Sequence, residues 1–296
     1  MKIFHSDMTT DVVIAYKRKR PDKTLRGLIS FGRLGPHHGN LMMQFRHLLD
    51  DLILDSGTFT LYQNPQKHQT SITLEGYLLY LKQFAERFDF YFNFDDDFST
   101  GGFKQNYSNQ LYLENDGFEP VPVVHDCYGP EIATYINRGH KLIAIGSGEL
   151  AHASVDDLYN IVKPIYDEGV KVHFLGCTEY DKLAYIPVYS ADSTTWNRTG
   201  TSGRILYWNP ERDGYKKKDD ITLSRRVPIK KRKYVIWDYD CYPQLEDYLW
   251  SELRLKIADL HGTMRLLNRA LVNVHYFVLL EELINQKHKE QGFSFE

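Results

Sequence analysis

The stretch VHFLGCTEYDKLAYIPVYSAD, residues 172–192, decides the fold. A short apolar run at 172–175 is followed by a helical pattern around 179–184 and by a second run at 188–191. Two short runs joined by a helix are typical of a βαβ unit, in which the two strands are parallel. Both runs are mostly apolar rather than alternating, which indicates strands buried on both faces.

The same alternation of a short run and a helical segment extends along most of the chain. The runs lie at 28–31, 52–54, 90–94, 121–124, 142–145, 172–175, 188–191 and 204–208. Eight runs alternating with helices predict an α/β fold, and the count favours a (β/α)8 TIM-type barrel over an open sheet. In a barrel the residues that follow the strands share the C-terminal face, where active sites lie.

The pattern changes after residue 208. Segment 209–233 is polar and basic and predicts an insertion or long loop, and residues 245–290 predict C-terminal helices. We therefore expect a single catalytic domain over residues 1–296, with a barrel core at about 25–260 that includes the basic insertion.

Charge is unevenly distributed along the chain. The net charge of −3 excludes a uniformly basic nucleic-acid-binding protein, but residues 216–233 hold nine Lys or Arg and two Asp, a local net of +7. Such a segment is either a solvated loop or a surface that follows phosphates. The candidate nucleic-acid-binding residues are Arg198, Lys216, Lys217, Lys218, Arg225, Arg226, Lys230 and Lys231.

Cysteine content and hydropathy narrow the class of protein. Cys127, Cys177 and Cys241 are far apart and odd in number, which predicts neither a disulfide framework nor a metal site. The N-terminus lacks the apolar core of a signal peptide, and the apolar stretch at 270–280 is too short to span a bilayer. We expect a cytoplasmic protein that does not act at a membrane.

Three carboxylates follow predicted strands, at Asp55, Asp95 and Asp192. Carboxylates gathered at a barrel mouth suit glycosyl transfer, in which one attacks the anomeric carbon and another moves a proton. The alternative for each is a helix N-cap, because an Asp after a strand often caps the next helix.

Glycines at strand ends would leave flat space for a planar ligand, and His125 either hydrogen-bonds a base edge or is structural. The strand-end pattern gives four candidate substrate-binding residues: Gly57, His125, Gly146 and Gly176.

Five segments, in order, resemble the tRNA-guanine transglycosylases, and especially their phage and bacterial (DpdA-like) relatives that insert 7-deazaguanines into DNA. They are Leu54-Asp55-Ser56-Gly57-Thr58-Phe59, Phe94-Asp95-Asp96, Ile143-Ala144-Ile145-Gly146-Ser147-Gly148, His173-Phe174-Leu175-Gly176 and Tyr189-Ser190-Ala191-Asp192-Ser193-Thr194-Thr195-Trp196. The resemblance covers roughly residues 30–204 and says little about the C-terminal third. The Asp-Ser-Thr-x-Trp form of the last segment is typical of the DNA-modifying branch.

The resemblance implies a role for each carboxylate. Asp192 would be the nucleophile, Asp55 the general acid and base, and Asp95 the reader of the base's ring N–H groups, with Asp96 as the second candidate for that role. The substrate-binding candidates that the resemblance adds are therefore Asp95, Asp96, Ser56 and Ser147. Two departures stand out: Thr58 replaces the second Gly of the family's Asp-Ser-Gly-Gly-Phe turn, and His125-Asp126-Cys127 stands where the tRNA enzymes have Gln-Gly-Gly.

The family's zinc site of three cysteines and a histidine is also missing after Asp192, which favours DNA over tRNA as substrate. The implied activity is that of a pentosyltransferase: guanine in DNA is exchanged for a 7-deazaguanine such as 7-cyano-7-deazaguanine, through a covalent Asp–sugar intermediate and without a cofactor. The alternatives are a tRNA-guanine transglycosylase, a non-catalytic nucleic-acid-binding subunit and a hydrolytic glycosidase. Family members often form homodimers.

Overall fold

The computed structural model describes residues 1–33, 42–63, 72–99, 101–212 and 218–295. The chain divides into two units. The first comprises Met1–Asp7, Arg26–Ser193 and Ile284–Glu296, and the second comprises Met8–Leu25 and Thr194–Leu283.

Eight strands form the parallel sheet of the first unit. They are β1 (Lys2–Ser6), β2 (Arg26–Ser30), β3 (Asp51–Asp55), β4 (Phe90–Tyr91), β5 (Val123–Val124), β6 (Leu142–Ile145), β7 (Lys171–Phe174) and β8 (Ser190–Ser193). They pair in the order β4-β3-β2-β1-β8-β7-β6-β5. A parallel bridge between Phe92 and Val121 joins the two ends, where the Val121 N–H donates to the Tyr91 carbonyl at 2.8 Å. The predicted (β/α)8 barrel is confirmed.

Helices separate the barrel strands. The α-helices of the first unit are Thr58–Gln63, Leu74–Phe84, Phe103–Asn115, Glu131–Asn137, Ser147–His152, Val155–Asp167 and Tyr180–Ala184, and its 3-10 helices are Phe31–Arg33, Arg46–Leu48 and Ala85–Arg87. The helix Val155–Asp167 begins with a capping box, in which Ser154 and Asp157 satisfy each other's backbone N–H groups. Its buried Leu158, Val162 and Ile165 recur at helical spacing.

The barrel interior is packed with apolar side chains, as expected for eight strands. These residues are Phe4, Leu28, Ile53, Phe92, Val121, Val123 and Ala144. They come from six different strands or strand ends, so the core depends on sequence-distant segments meeting.

The predicted barrel bounds of about 25–260 were wrong at both ends. The first strand is β1 at the N-terminus, which lies between β2 and β8. The run at Arg204–Trp208 does form a strand, β9, but β9 pairs with other strands outside the barrel. The predicted insertion at 209–233 also contains a strand, β10 (Lys218–Thr222), so it is not wholly a loop.

The second unit contains a three-stranded sheet and helices. β10 pairs antiparallel with β9 and parallel with β11 (Tyr234–Val235). The α-helices are Thr10–Lys19, Thr195–Thr201, Tyr242–Leu253 and Arg265–Glu290, the last of which runs into the first unit's C-terminal segment, and the 3-10 helices are Ile229–Lys231, Ile236–Asp238 and Ile257–Leu260. The buried Asn273 amide ties the long helix to β9, since its Oδ1 accepts the Leu206 N–H at 2.7 Å. Across the described residues, each helix lacks the length or the apolar character needed to cross a bilayer.

Candidate active site

Strand periodicity places the polar side chains at one end of the barrel. Successive residues of a strand point to opposite faces, so the residue two positions after an inward-facing one also points inward. Two positions after the core residues Phe4, Leu28, Ile53, Val123 and Ala144 stand Ser6, Ser30, Asp55, His125 and Gly146. Asp192 is in register with Phe4 across β8 and β1. These residues therefore gather at the C-terminal mouth of the barrel.

Asp192 is held by three partners and is 6% exposed. The Ser6 hydroxyl donates to its Oδ2 at 2.5 Å, and the Gly176 N–H donates to its Oδ1 at 2.9 Å. His173 Nε2 lies 3.2 Å from the same Oδ1. None of these partners belongs to the helix that follows, whose N-cap residue is Thr194. The capping alternative therefore does not account for Asp192.

His173 is fully buried inside the barrel, beneath Asp192. Its ring packs against those of Phe4, Phe90 and Phe92 at centroid distances of 6.2, 5.9 and 4.9 Å. Its Nδ1 lies 2.8 Å from the Ser190 hydroxyl, so both ring nitrogens have a polar partner. A hydrogen bond at one nitrogen fixes the tautomer and ring orientation at the other.

Sequence reasoning missed His173 and Ser6 as site residues. The available signal for His173 was a polar side chain inside an otherwise apolar strand run. Ser6 belongs to β1, which has few apolar residues and was not recognised as a strand.

Asp55 ends β3 and accepts the Gly57 N–H at 3.1 Å. Burial raises the pKa of Asp55 to about 6; the negative charge of Asp192 adds to this effect, and the Ser30 hydroxyl and Gly57 N–H oppose it. Gly57 has a φ of +80°, and a Cβ there would lie 2.4 Å from the Gly32 backbone nitrogen. The turn after Asp55 therefore requires glycine.

Ser56 and Thr58, on either side of Gly57, are buried, and their hydroxyl oxygens are 3.2 Å apart. The Ser56 hydroxyl is thus engaged within the turn.

Asp95, which is buried, and His125, which is partly exposed, form a pair on the neighbouring strand ends. His125 Nε2 lies 3.2 Å from Asp95 Oδ2, and the Asn93 amide donates to Asp95 Oδ1 at 2.6 Å. Burial raises the pKa of Asp95, although the contact with His125 opposes the shift. Burial lowers the pKa of His125, but the hydrogen bond and charge of Asp95 outweigh it, so the net pKa is raised. The pair therefore retains a proton more strongly than either group alone.

Asp96 is placed differently from Asp95. It is exposed, and its Oδ1 accepts a hydrogen bond from Asn109 at 2.9 Å. Of the two neighbouring carboxylates, Asp95 is the one in contact with His125.

Gly146 and Gly176 stand at the ends of β6 and β7. A Cβ on Gly146 would lie 3.3 Å from His125 Nδ1, and a Cβ on Gly176 would meet the Ser147 Cβ at 3.5 Å. Gly176 has a φ of +69°, which favours glycine. Ser147 itself is exposed at the start of the helix Ser147–His152.

Aromatic rings lie next to His125. Phe98 makes an edge contact with His125 at 5.3 Å, and Phe59 and Tyr62 contact Phe98 at 6.1 and 5.0 Å. Phe59 and Tyr62 are more than half exposed.

The predicted nucleic-acid-binding residues belong to the second unit. Arg198, Lys218, Arg225, Arg226 and Lys230 are exposed there. Lys216 and Lys217 lie outside the described residues, and the Lys231 side chain is also outside them. Within the part of the chain that the structure describes, no three His, Cys, Asp or Glu side chains are grouped so as to hold a metal ion.

Comparisons with known proteins assign the chain to no family. No family model matches the chain, and no curated protein matches it. One similar solved structure is the carboxyl transferase domain from Rhizobium etli pyruvate carboxylase with 3-bromopyruvate, at 9% identity and a TM-score of 0.46. Another is the same domain with 3-hydroxypyruvate, at 10% identity and a TM-score of 0.41. Each match covers 100% of this chain and 48% of the other, so the chain spans about half the length of those proteins.

Proposed function

We propose that this protein is a transglycosylase that exchanges guanine in DNA for a 7-deazaguanine through a covalent Asp192–sugar intermediate. The observation that carries the proposal is the contrast between two carboxylates at one barrel mouth. Both oxygens of Asp192 are held by hydrogen bonds, whereas the pKa of Asp55 is raised to about 6. Glycosyl transfer with a covalent intermediate uses this division: one oriented nucleophile, and one group that exchanges a proton near neutral pH.

Asp192 Oδ2 is the oxygen that attacks. Among the described residues, Oδ1 has two partners, Gly176 and His173, whereas Oδ2 has Ser6 alone. A carboxylate oxygen has two lone pairs, so Oδ2 keeps one for the sugar C1′. Its bond to C1′ forms as the bond between C1′ and guanine N9 breaks.

Asp55 moves the proton. With its pKa near 6, Asp55 is protonated in about half of the molecules at pH 6 and in about a tenth of them at pH 7, and this proton passes to the departing guanine. The ionised Asp55 then takes the N9 proton of the incoming 7-deazaguanine. That nitrogen bonds to C1′ as the bond between C1′ and Asp192 breaks, which returns both carboxylates to their starting forms.

The pair of Asp95 and His125 suits recognition of the base. Asn93 and His125 fix the two oxygens of Asp95, whose remaining lone pairs can accept ring N–H groups of guanine. Gly146 and Gly176 have no side chains that would occupy the space beside the base. The target nucleotide must leave the base stack to reach this mouth, as in other enzymes that act on bases.

The deciding experiment measures exchange of labelled guanine into DNA by the wild-type chain, with nucleoside mass spectrometry after supply of 7-cyano-7-deazaguanine. Asp192→Asn is the test variant because Asn keeps the Oδ1 contacts and can donate to a rotated Ser6 hydroxyl, so the fold survives. Asp167→Asn, at an exposed position, is the matched control. We expect a protein–DNA adduct on a denaturing gel with wild type and control, and none with Asp192→Asn.

Three outcomes would contradict the proposal. Exchange retained by Asp192→Asn would remove the nucleophile assignment. Labelled guanine entering tRNA but not DNA would make the chain a tRNA-guanine transglycosylase. Free sugar and base without exchange would make it a hydrolase.

A further inference from the structure

The second unit displays an apolar tip among cations, in the segment 224–233, here called the basic loop. Ile229 is 80% exposed, which makes it the most exposed large apolar side chain of the described residues. Arg225, Arg226, Pro228 and Lys230 around it are exposed as well. A single exposed apolar residue is ordinary, but one at the tip of a cationic loop is a recognisable DNA-binding arrangement.

Internal hydrogen bonds fix the shape of the basic loop. The Val227 N–H donates to the Ser224 carbonyl at 3.2 Å, and Val227 itself is buried. The Arg232 guanidinium donates two hydrogen bonds within the loop, to the Val227 carbonyl (2.8 Å) and the Arg225 carbonyl (2.7 Å). Pro228 restricts the backbone just before Ile229. These contacts hold the loop backbone in place, which reduces the entropic cost of association.

Trp237 orients the arginine beside the tip. The guanidinium of Arg225 lies over the Trp237 ring at 5.6 Å, and that of Arg232 lies over it at 5.7 Å. Stacking on an indole leaves the N–H edge of a guanidinium free for a bidentate contact with phosphate. Among the described residues, Arg225, Arg226 and Lys230 have no carboxylate partner, so their charges remain available to a polyanion.

We propose that the basic loop binds duplex DNA, with Arg225, Arg226 and Lys230 on phosphates and Ile229 inserted as a wedge between adjacent base pairs. Apolar wedges of this kind unstack a base step and kink the duplex. The choice of DNA rests on the proposed function, whose target base must leave the stack. An anionic membrane is the competing partner, because exposed Ile229 and Trp237 beside cations also suit an interface.

Binding is measured on the full chain by fluorescence anisotropy of a short labelled duplex at several salt concentrations. Arg225→Gln/Arg226→Gln should weaken binding about tenfold at 0.1 M salt and lower the salt slope by about two, as expected when two phosphate contacts are lost. The matched control is Arg254→Gln/Arg265→Gln in the same unit, where Arg254 also lies over an exposed tryptophan, Trp250. The control should stay within about twofold of wild type.

Unstacking is measured with a 2-aminopurine duplex, whose fluorescence rises when the base leaves the stack. Ile229→Ala should abolish the rise while the anisotropy midpoint changes less than about threefold. Leu266→Ala, at a 52% exposed apolar residue of the same unit, should retain the rise.

Each remaining outcome overturns the inference. An equal loss of binding in both arginine pairs would indicate nonspecific charge, and a fluorescence rise kept by Ile229→Ala would remove the wedge. If Ile229 is needed for binding to anionic phospholipid vesicles but not for binding to DNA, the basic loop is a membrane-binding surface instead. Guanine exchange tests the proposed function separately: loop-dependent DNA binding without exchange would refute the transglycosylase alone, and exchange with loop-independent binding would refute the wedge alone.

Discussion

Replacing His173 tests whether the buried histidine orients the nucleophile. His173→Phe keeps a ring against Phe4, Phe90 and Phe92 but removes both polar contacts of the imidazole. The Ser190 hydroxyl and one lone pair of Asp192 then lose a buried partner, each at a cost of about 1–3 kcal/mol. Because the Ser190 hydroxyl can rotate and Asp192 keeps Ser6 and Gly176, we expect a stability loss near the low end, roughly 2 kcal/mol.

We expect His173→Phe to affect the rate of guanine release more strongly than the free energy of unfolding. Asp192 would lose one of three contacts that fix its plane, and partners that orient a reacting group are worth about 10–100-fold in activity. His173→Gln is the rescue variant, since its amide nitrogen can reach the position of Nε2 and restore the contact with Asp192. We expect Gln to recover most of the single-turnover rate of guanine release without recovering the contact with Ser190.

The assay combines single-turnover guanine release with chemical unfolding, and its control is another buried histidine of the first unit. His288 Nε2 lies 2.7 Å from the Leu183 carbonyl, and its ring packs against Phe293 and Phe295. His288→Phe should lose stability but not rate. Wild-type release by a folded His173→Phe variant, or no advantage of Gln over Phe, would refute the positioning role.

Four further predictions concern the same mouth. Because the pKa of Asp55 is raised in the folded state, its contribution to stability is greatest below about pH 4 and is lost as the pH rises through about 6. In urea unfolding, the free energy of unfolding of the wild type should therefore fall over this pH range by up to ~3 kcal/mol more than that of Asp55→Asn. The same protonation makes guanine release fall above about pH 6, and a flat pH–rate profile would contradict the acid role. Gly57→Ala should cost at least ~1–3 kcal/mol in unfolding free energy, because φ is +80° and the new Cβ would clash with Gly32. Asp95→Asn should raise KM for the base more than it lowers kcat, and His125→Gln should raise KM by a smaller factor. If the two variants lower kcat by as much as they raise KM, the pair takes part in the chemistry instead.

The barrel was predictable because its strands carry a local signal. Runs such as 142–145 are continuous apolar segments between helical patterns, and the structure reproduces that strand as Leu142–Ile145. The helices Glu131–Asn137 and Val155–Asp167 occupy the segments between such runs, as the alternation of short runs and helical patterns predicts. What was wrong is which strand completes the ring: β9 has the same local character as a barrel strand, and only its pairing with β10 distinguishes it.

Strand β1 could not be found in the same way, because Lys2-Ile3-Phe4-His5-Ser6 has only two strongly apolar residues. His5 and Ser6 are nonetheless buried, since β1 is flanked on both sides by parallel strands and its end faces the mouth. Burial of these polar groups depends on partners far along the chain, namely the Arg26 carbonyl for His5 and Asp192 for Ser6. No local pattern contains that information.

The three carboxylates were predictable as strand-end residues, but the physical basis of their chemical difference was not. Asp55 and Asp192 both follow predicted runs, so strand patterning treats them alike, and only the family resemblance gave them different roles. The structure separates them by their neighbours: Ser6 comes from a strand that was not recognised, and His173 lies two strand positions below the mouth, on β7. The period of two provides a rule that sequence reasoning can apply once a barrel is predicted. A polar residue inside a run, two positions before an inward-facing last residue, faces the same interior as the site, as His173 does before Leu175. Under that rule His173 becomes a candidate partner of whichever carboxylate ends the adjacent strand, here Asp192, and the Phe and Gln variants test the rule as well as the residue.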